Sequence, residues 1–77
     1  MRERFAWLNR FSDEELQQIS ICSTGAEIKP GDTYFDISHP EAGPFVGLPG
    51  QIIPEGTCLV QKADVPASIW QKLTSFP

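Results

Sequence analysis

Seventy-seven residues leave room for one domain, residues 1–77, and an apolar fraction of 40% with two Trp, five Phe and one Tyr is enough to fold it. A net charge of −4 and a pI near 4.7 argue against nucleic acid and against anionic membranes: phosphate binding needs clustered Lys and Arg, and the six here are scattered. No apolar run nears the ~20 residues that span a bilayer. The opening stretch is also too polar for a signal peptide, so a cytoplasmic location is expected.

At the N-terminus, Arg2, Arg4 and Arg10 around Glu3 form the one local basic excess, and their helical spacing reads as a solvated face. Phe5, Leu8 and Trp7 suggest a short helical turn folding back on the core. The clearest local signal follows. Ser12-Asp13-Glu14-Glu15 is a capping box, with Phe11 and Leu16 placed for a hydrophobic staple and three carboxylates at the positive end of the helix dipole. The spacing predicts a helix over Asp13 to Ser23, stopped by Gly25, with Leu16, Ile19 and Cys22 facing inward.

Between Gly25 and Gly56 fall all six glycines and five of the seven prolines, which excludes a long helix. Pro30-Gly31, Pro49-Gly50 and Pro54-Glu55-Gly56 read as tight turns. Between them, Thr33 to Ile37 alternates as a strand, with Thr33, Phe35 and Ile37 on one face and Tyr34 and Asp36 on the other. Phe45 to Leu48, Gln51 to Ile53 and Thr57 to Gln61 are the further strand candidates, with Cys58 and Val60 opposite Leu59 and Gln61. Strands this close are expected to pair antiparallel between sequence neighbours, as a meander or small curled sheet, with Pro44, Pro49 and Pro54 at strand ends.

A second helix closes the chain. Asp64 is the expected N-cap, Pro66 sits in the first turn, and Val65, Ile69, Leu73 and Phe76 make one apolar stripe with Trp70 beside it. The fold class is therefore α+β: a small antiparallel sheet of three to four short strands flanked by an N-terminal and a C-terminal helix. Cys22 and Cys58 are too few for a disulfide scaffold and form no C-x-x-C pair, so both are expected as small buried apolar residues.

Two groups of residues stand out as candidates for function. Trp70, Phe45 and Trp7, with Phe76, are aromatic side chains of the kind that anchor protein partners, although a chain this small needs most of its aromatics in the core. The second group is the loop Asp36-Ile37-Ser38-His39-Pro40-Glu41, which carries the single histidine between carboxylates at a strand exit. Asp36, His39 and Glu41 there could form an acid–base or metal-binding group with help from Cys58, or simply cap a turn. No phosphate loop is present: Gly43-Pro44-Phe45-Val46-Gly47 lacks the spacing. Lys29-Pro30-Gly31-Asp32 is one turn motif and transfers no function.

The sequence thus leads to a non-enzymatic accessory or regulatory module that binds another protein or a second copy of itself, with no cofactor. The alternative is a small metal- or ligand-binding protein organised on Asp36, His39 and Glu41; catalysis by His39 ranks below both.

Overall fold

The computed structural model describes residues 2–75. It is a small α+β fold: a three-stranded antiparallel sheet with an N-terminal helical segment and a C-terminal helix. The strands are β1 (Thr33–Asp36), β2 (Phe45–Val46) and β3 (Leu59–Gln61), in the order β2-β1-β3. β1 is thus the centre, and β3 returns past β2 to pair with it, Tyr34 opposite Gln61, Phe35 opposite Val60 and Asp36 opposite Leu59. A strict pairing of sequence neighbours would have set β3 beside β2.

The N-terminal side matches the sequence reading at its start and departs from it at its end. A 3₁₀ turn spans Ala6–Arg10, and α1 (Asp13–Gln17) opens with the full capping box: Glu15 N–H donates to Ser12 Oγ at 3.1 Å and Ser12 N–H to Glu15 Oε1 at 2.8 Å. The helix does not reach Ser23. Gln18 closes it, and Ile19-Ser20-Ile21-Cys22-Ser23-Thr24 is a run of β-branched and short polar residues with low helix propensity. That stretch instead runs along the sheet edge, where Cys22 N–H donates to Leu59 O at 2.8 Å. Gly25 sits inside the turn that Ala26 N–H closes on Ser23 O, at φ near +83°, rather than capping a helix.

The second helix, α2 (Ala67–Thr74), starts later than expected. Lys62–Asp64 is a separate 3₁₀ turn, Val65 is extended at φ −130° and ψ 153°, and Pro66 takes the N-cap position in place of Asp64. The reason is steric. A residue before proline is pushed out of the helical region, so the helix cannot run through Val65. Ile69, Trp70 and Leu73 form its buried face; Phe76 lies outside the described residues.

The expected alternation of β1 holds, but both faces of the sheet are covered. On one face, Phe35, Ile37, Cys58 and Val60 pack with Leu8, Phe11, Ile19, Ile69, Trp70 and Leu73. On the other, Tyr34 and Leu59 pack with Ile28 and Ile53, with Phe45 and Cys22 partly buried beside them. That second cover comes from two extended arms. Ile28 N–H donates to Gln51 O at 3.0 Å and Ile53 N–H to Ala26 O at 2.8 Å, which brackets an isolated antiparallel bridge between Glu27 and Ile52. The expected strand over Gln51 to Ile53 therefore exists as one arm of this bridge, outside the three-stranded sheet.

Two turns and one close approach hold the arms in place. In Lys29-Pro30-Gly31-Asp32 and in Leu48-Pro49-Gly50-Gln51 the last N–H returns to the first carbonyl, and Gly31 and Gly50 take φ near +85° and +83°. This is the type II pattern that Pro-Gly predicts. Gly47 is buried for a different reason. A side chain there would collide with Ile28 Cγ2 and lie 2.7 Å from Lys29 O, so only hydrogen lets the arm close on β2. Both cysteines are free thiols.

Candidate functional site

The polar loop after β1 is built on Asp36. Its Oδ1 accepts from Ser38 Oγ at 2.6 Å, from Ser38 N–H at 2.9 Å and from Cys58 N–H at 3.1 Å. Its Oδ2 lies 3.1 Å from His39 Nδ1. The bond from Ser38 N–H forms an Asx turn that ends the strand, the Ser38 hydroxyl reinforces it, and the bond from Cys58 N–H ties the loop to the chain entering β3. Burial pushes the Asp36 carboxyl up, but the hydrogen bonds from Ser38, Cys58 N–H and His39 outweigh it and hold the group below its ordinary value. Asp36 is accordingly an anion fixed in place, with 14% of its side chain exposed against 60% for His39.

An imidazole that donates Nδ1–H to a carboxylate keeps its Nε2 lone pair free as an acceptor. The pair can therefore orient a ligand N–H or relay a proton. It supplies only two donors to a metal. Glu41, in the 3₁₀ turn Pro40–Ala42, is exposed and does not join them. Among the described residues no group of three His, Cys, Asp or Glu side chains is placed to hold an ion. Asp36, His39 and Glu41, the metal group expected from the sequence, do not form such a group; Glu41 lies in the exposed 3₁₀ turn that follows the pair.

Asp36 and His39 line a cleft of about 330 Å³. Its walls are largely apolar: Ile28, Phe45, Ile52, Pro54 and Leu59. Gln51 and Thr57 add polar atoms. The cleft opens on the second face of the sheet, between the loop after β1 and the arm that carries Ile52. A hollow of about 420 Å³ near Lys62 and Ala67 is larger, but its carboxylate, Asp32, is already bound by Gln61 Nε2 at 2.6 Å. The smaller cleft is the better site on chemistry, since it joins apolar walls to a few oriented polar groups.

The aromatic candidates separate. Phe45 lines the cleft and stacks on Tyr34 at 5.9 Å between ring centroids. Trp70 is in the first core, 8% exposed, with its ring edge-on to Phe35 at 6.4 Å. Trp7 is half-buried, its Nε1–H donating to Ile37 O at 3.1 Å and its ring edge-on to Phe11 and Phe35. As placed, neither Trp offers the free anchor the sequence reading set against a core role; a two-sided sheet needs their area inside. The exposed large apolar residues are instead Val46 at 56%, Leu48 at 60% and Ile52 at 58%, with Ile21 apart from them in sequence.

Val46 also marks an open sheet edge. Gly47 N–H donates to Asp32 O at 2.8 Å, so the facing pair Thr33 and Val46 is the non-hydrogen-bonded kind. The N–H and C=O of Val46 therefore point away from β1. No loop or turn hydrogen bond among the described residues engages them. Sequence reasoning reached Phe45, Asp36 and His39 but not Val46, Leu48 or Ile52. The available signal was the pair of short apolar pieces around Pro49-Gly50, which read as strand interior.

Comparison with protein-family models, curated proteins and solved structures finds no match to this chain. Among the described residues no helix is long and apolar enough to cross a membrane.

Proposed function

We propose that this protein is an interaction module that takes an extended segment of a partner protein along β2, with an apolar side chain of that segment in the adjoining cleft. One observation carries the reading: the exposed apolar residues Val46, Leu48 and Ile52 fall within seven residues of chain, and Val46 turns its backbone N–H and C=O out of the sheet at its β2 edge. An edge of this kind supplies main-chain hydrogen bonds to an added strand, and the neighbouring pocket supplies side-chain specificity. Phe45 remains a contact residue in this reading; Trp7 and Trp70 support the sheet from behind.

The test is selection of peptides from a displayed random library on the immobilised chain. Enriched peptides are expected to alternate apolar and polar residues and to lose binding to Val46→Pro and Ile52→Asp, both at exposed positions. Enriched peptides that bind these variants as well as the parent would overturn the reading.

A second reading rests on the Asp36–His39 pair: a small ligand with one hydrogen-bond donor seated against Phe45 and Leu59. It predicts that a fragment screen followed by NMR moves the His39 ring signals and that Asp36→Asn removes the response. Fragments that leave the His39 signals unmoved, or move them equally in the variant, would discard it.

A further inference from the structure

The charge of this protein is not spread evenly. From Pro30 to Gln61 there is no Lys or Arg, while Asp32, Asp36, Glu41 and Glu55 all lie there. The six remaining acidic residues are matched by the six basic ones, so the whole net charge of −4 belongs to this stretch. That stretch also supplies every residue lining the cleft except Ile28.

Outside it, two of the six cations are paired with acids on α1. Arg2 pairs with Asp13, and Lys72 pairs with Glu15 at 2.8 Å while its Nζ sits 4.9 Å from the centre of the Phe11 ring. Around the cleft the acidic residues gather without a Lys or Arg partner among the described residues. Asp36 lines it; Glu41 is next to the lining residue Ala42, and Glu55 is next to the lining residue Pro54. Glu27 stands across the antiparallel bridge from Ile52, where facing side chains share one side. Glu27, Glu41 and Glu55 are exposed, and none of the three forms an ion pair among the described residues. One Lys adjoins the lining in sequence: Lys29 follows Ile28.

We infer that the segment taken by the cleft and the β2 edge is basic: an extended stretch in which Lys or Arg alternates with apolar residues. The inference rests on the protein-binding reading above. Apolar side chains enter between Phe45, Ile52 and Leu59, while the intervening cations meet Glu41, Glu55 and Glu27 at the rim. Exposed ion pairs of this kind contribute modestly to affinity and strongly to partner choice, and salt screens them.

The experiment uses the full chain, labelled with ¹⁵N, and three blocked heptapeptides that alternate valine with lysine, with serine or with glutamate. At low salt the lysine peptide is expected to shift the amide signals of Val46, Ile52 and the Asp36–His39 loop, and to bind about tenfold tighter than the serine peptide. The glutamate peptide is expected to bind weakest, and raising the salt should shrink the difference. The double variant Glu41→Gln with Glu55→Gln, both exposed, should fold normally and lose most of the preference. Equal binding of the lysine and serine peptides at Val46 and Ile52 overturns the charge inference and leaves the strand-edge reading standing. Shifts from the lysine peptide confined to Asp13 and Glu14 on α1 also overturn it. No shift at Val46 or Ile52 with any peptide removes the strand-edge reading as well.

Discussion

The two faces of one small sheet are finished differently. The face built on Phe35, Ile37 and Val60 is sealed by the 3₁₀ turn at Ala6–Arg10, by α1 with the chain after it, and by α2; its aromatic rings meet edge to face. The face built on Tyr34 and Leu59 is covered by two single extended arms joined at one bridge, and it keeps a cleft and an open edge. Helices bring side chains from several directions and close a surface; extended arms cover only the width of a chain. A fold of 77 residues therefore closes one face with helical segments and leaves the other with a cleft and an outward edge.

Truncation at matched positions breaks this comparison most directly. Phe35→Ala should cost about 3–5 kcal/mol, most or all of the stability of so small a domain, whereas Phe45→Ala at the half-buried cleft wall should cost about 1–2 kcal/mol. Equal losses in urea melts would mean that the faces are equally packed.

The junction between the faces comes next. Asp36→Ala leaves Cys58 N–H and Ser38 N–H without their acceptor and should cost about 2–4 kcal/mol, with Asp36→Asn losing less because its side-chain oxygen still accepts. The acid limb has a defined sign. The folded Asp36 carboxyl sits below its ordinary value, so its contribution is complete above a pH of about 4 and is lost as pH falls through the folded value. Melting temperatures of Asp36→Asn should therefore fall less steeply than those of the parent as pH drops below about 4. Parallel curves would discard the assignment.

On the second face, Gly47→Ala forces the arm off β2 at Ile28 and Lys29 and should cost about 1–3 kcal/mol. Its loss should be accompanied by shifted Ile28 and Tyr34 signals while Trp70 and Leu73 stay unmoved. The smallest effect belongs to the capping box: Ser12→Ala should cost about 1 kcal/mol, read by the same melts. Hydrogen exchange orders the same comparison without mutation. The Phe35 and Val60 amides should be the slowest, and the outward Val46 amide among the fastest.

Features encoded within a few residues were legible in the chain itself. The capping box at Ser12, the Pro30-Gly31 and Pro49-Gly50 turns and the alternation of Thr33 to Ile37 all follow from backbone sterics and local hydrogen bonds, which need no distant partner. Even the late start of α2 was encoded, in the pairing of Val65 with Pro66.

Other features depend on which distant surfaces meet. Ile19 to Cys22 left the helix for the edge of β3, Trp70 went into the core while Ile52 stayed outside, and β3 chose β1 over β2. Tyr34 and Phe35 are adjacent in sequence and buried on opposite faces because both faces found a cover. Hydrophobicity tells a residue to leave water but not which surface will take it. That choice was made by packing, and with it came the one cleft where Asp36, His39 and Phe45 meet.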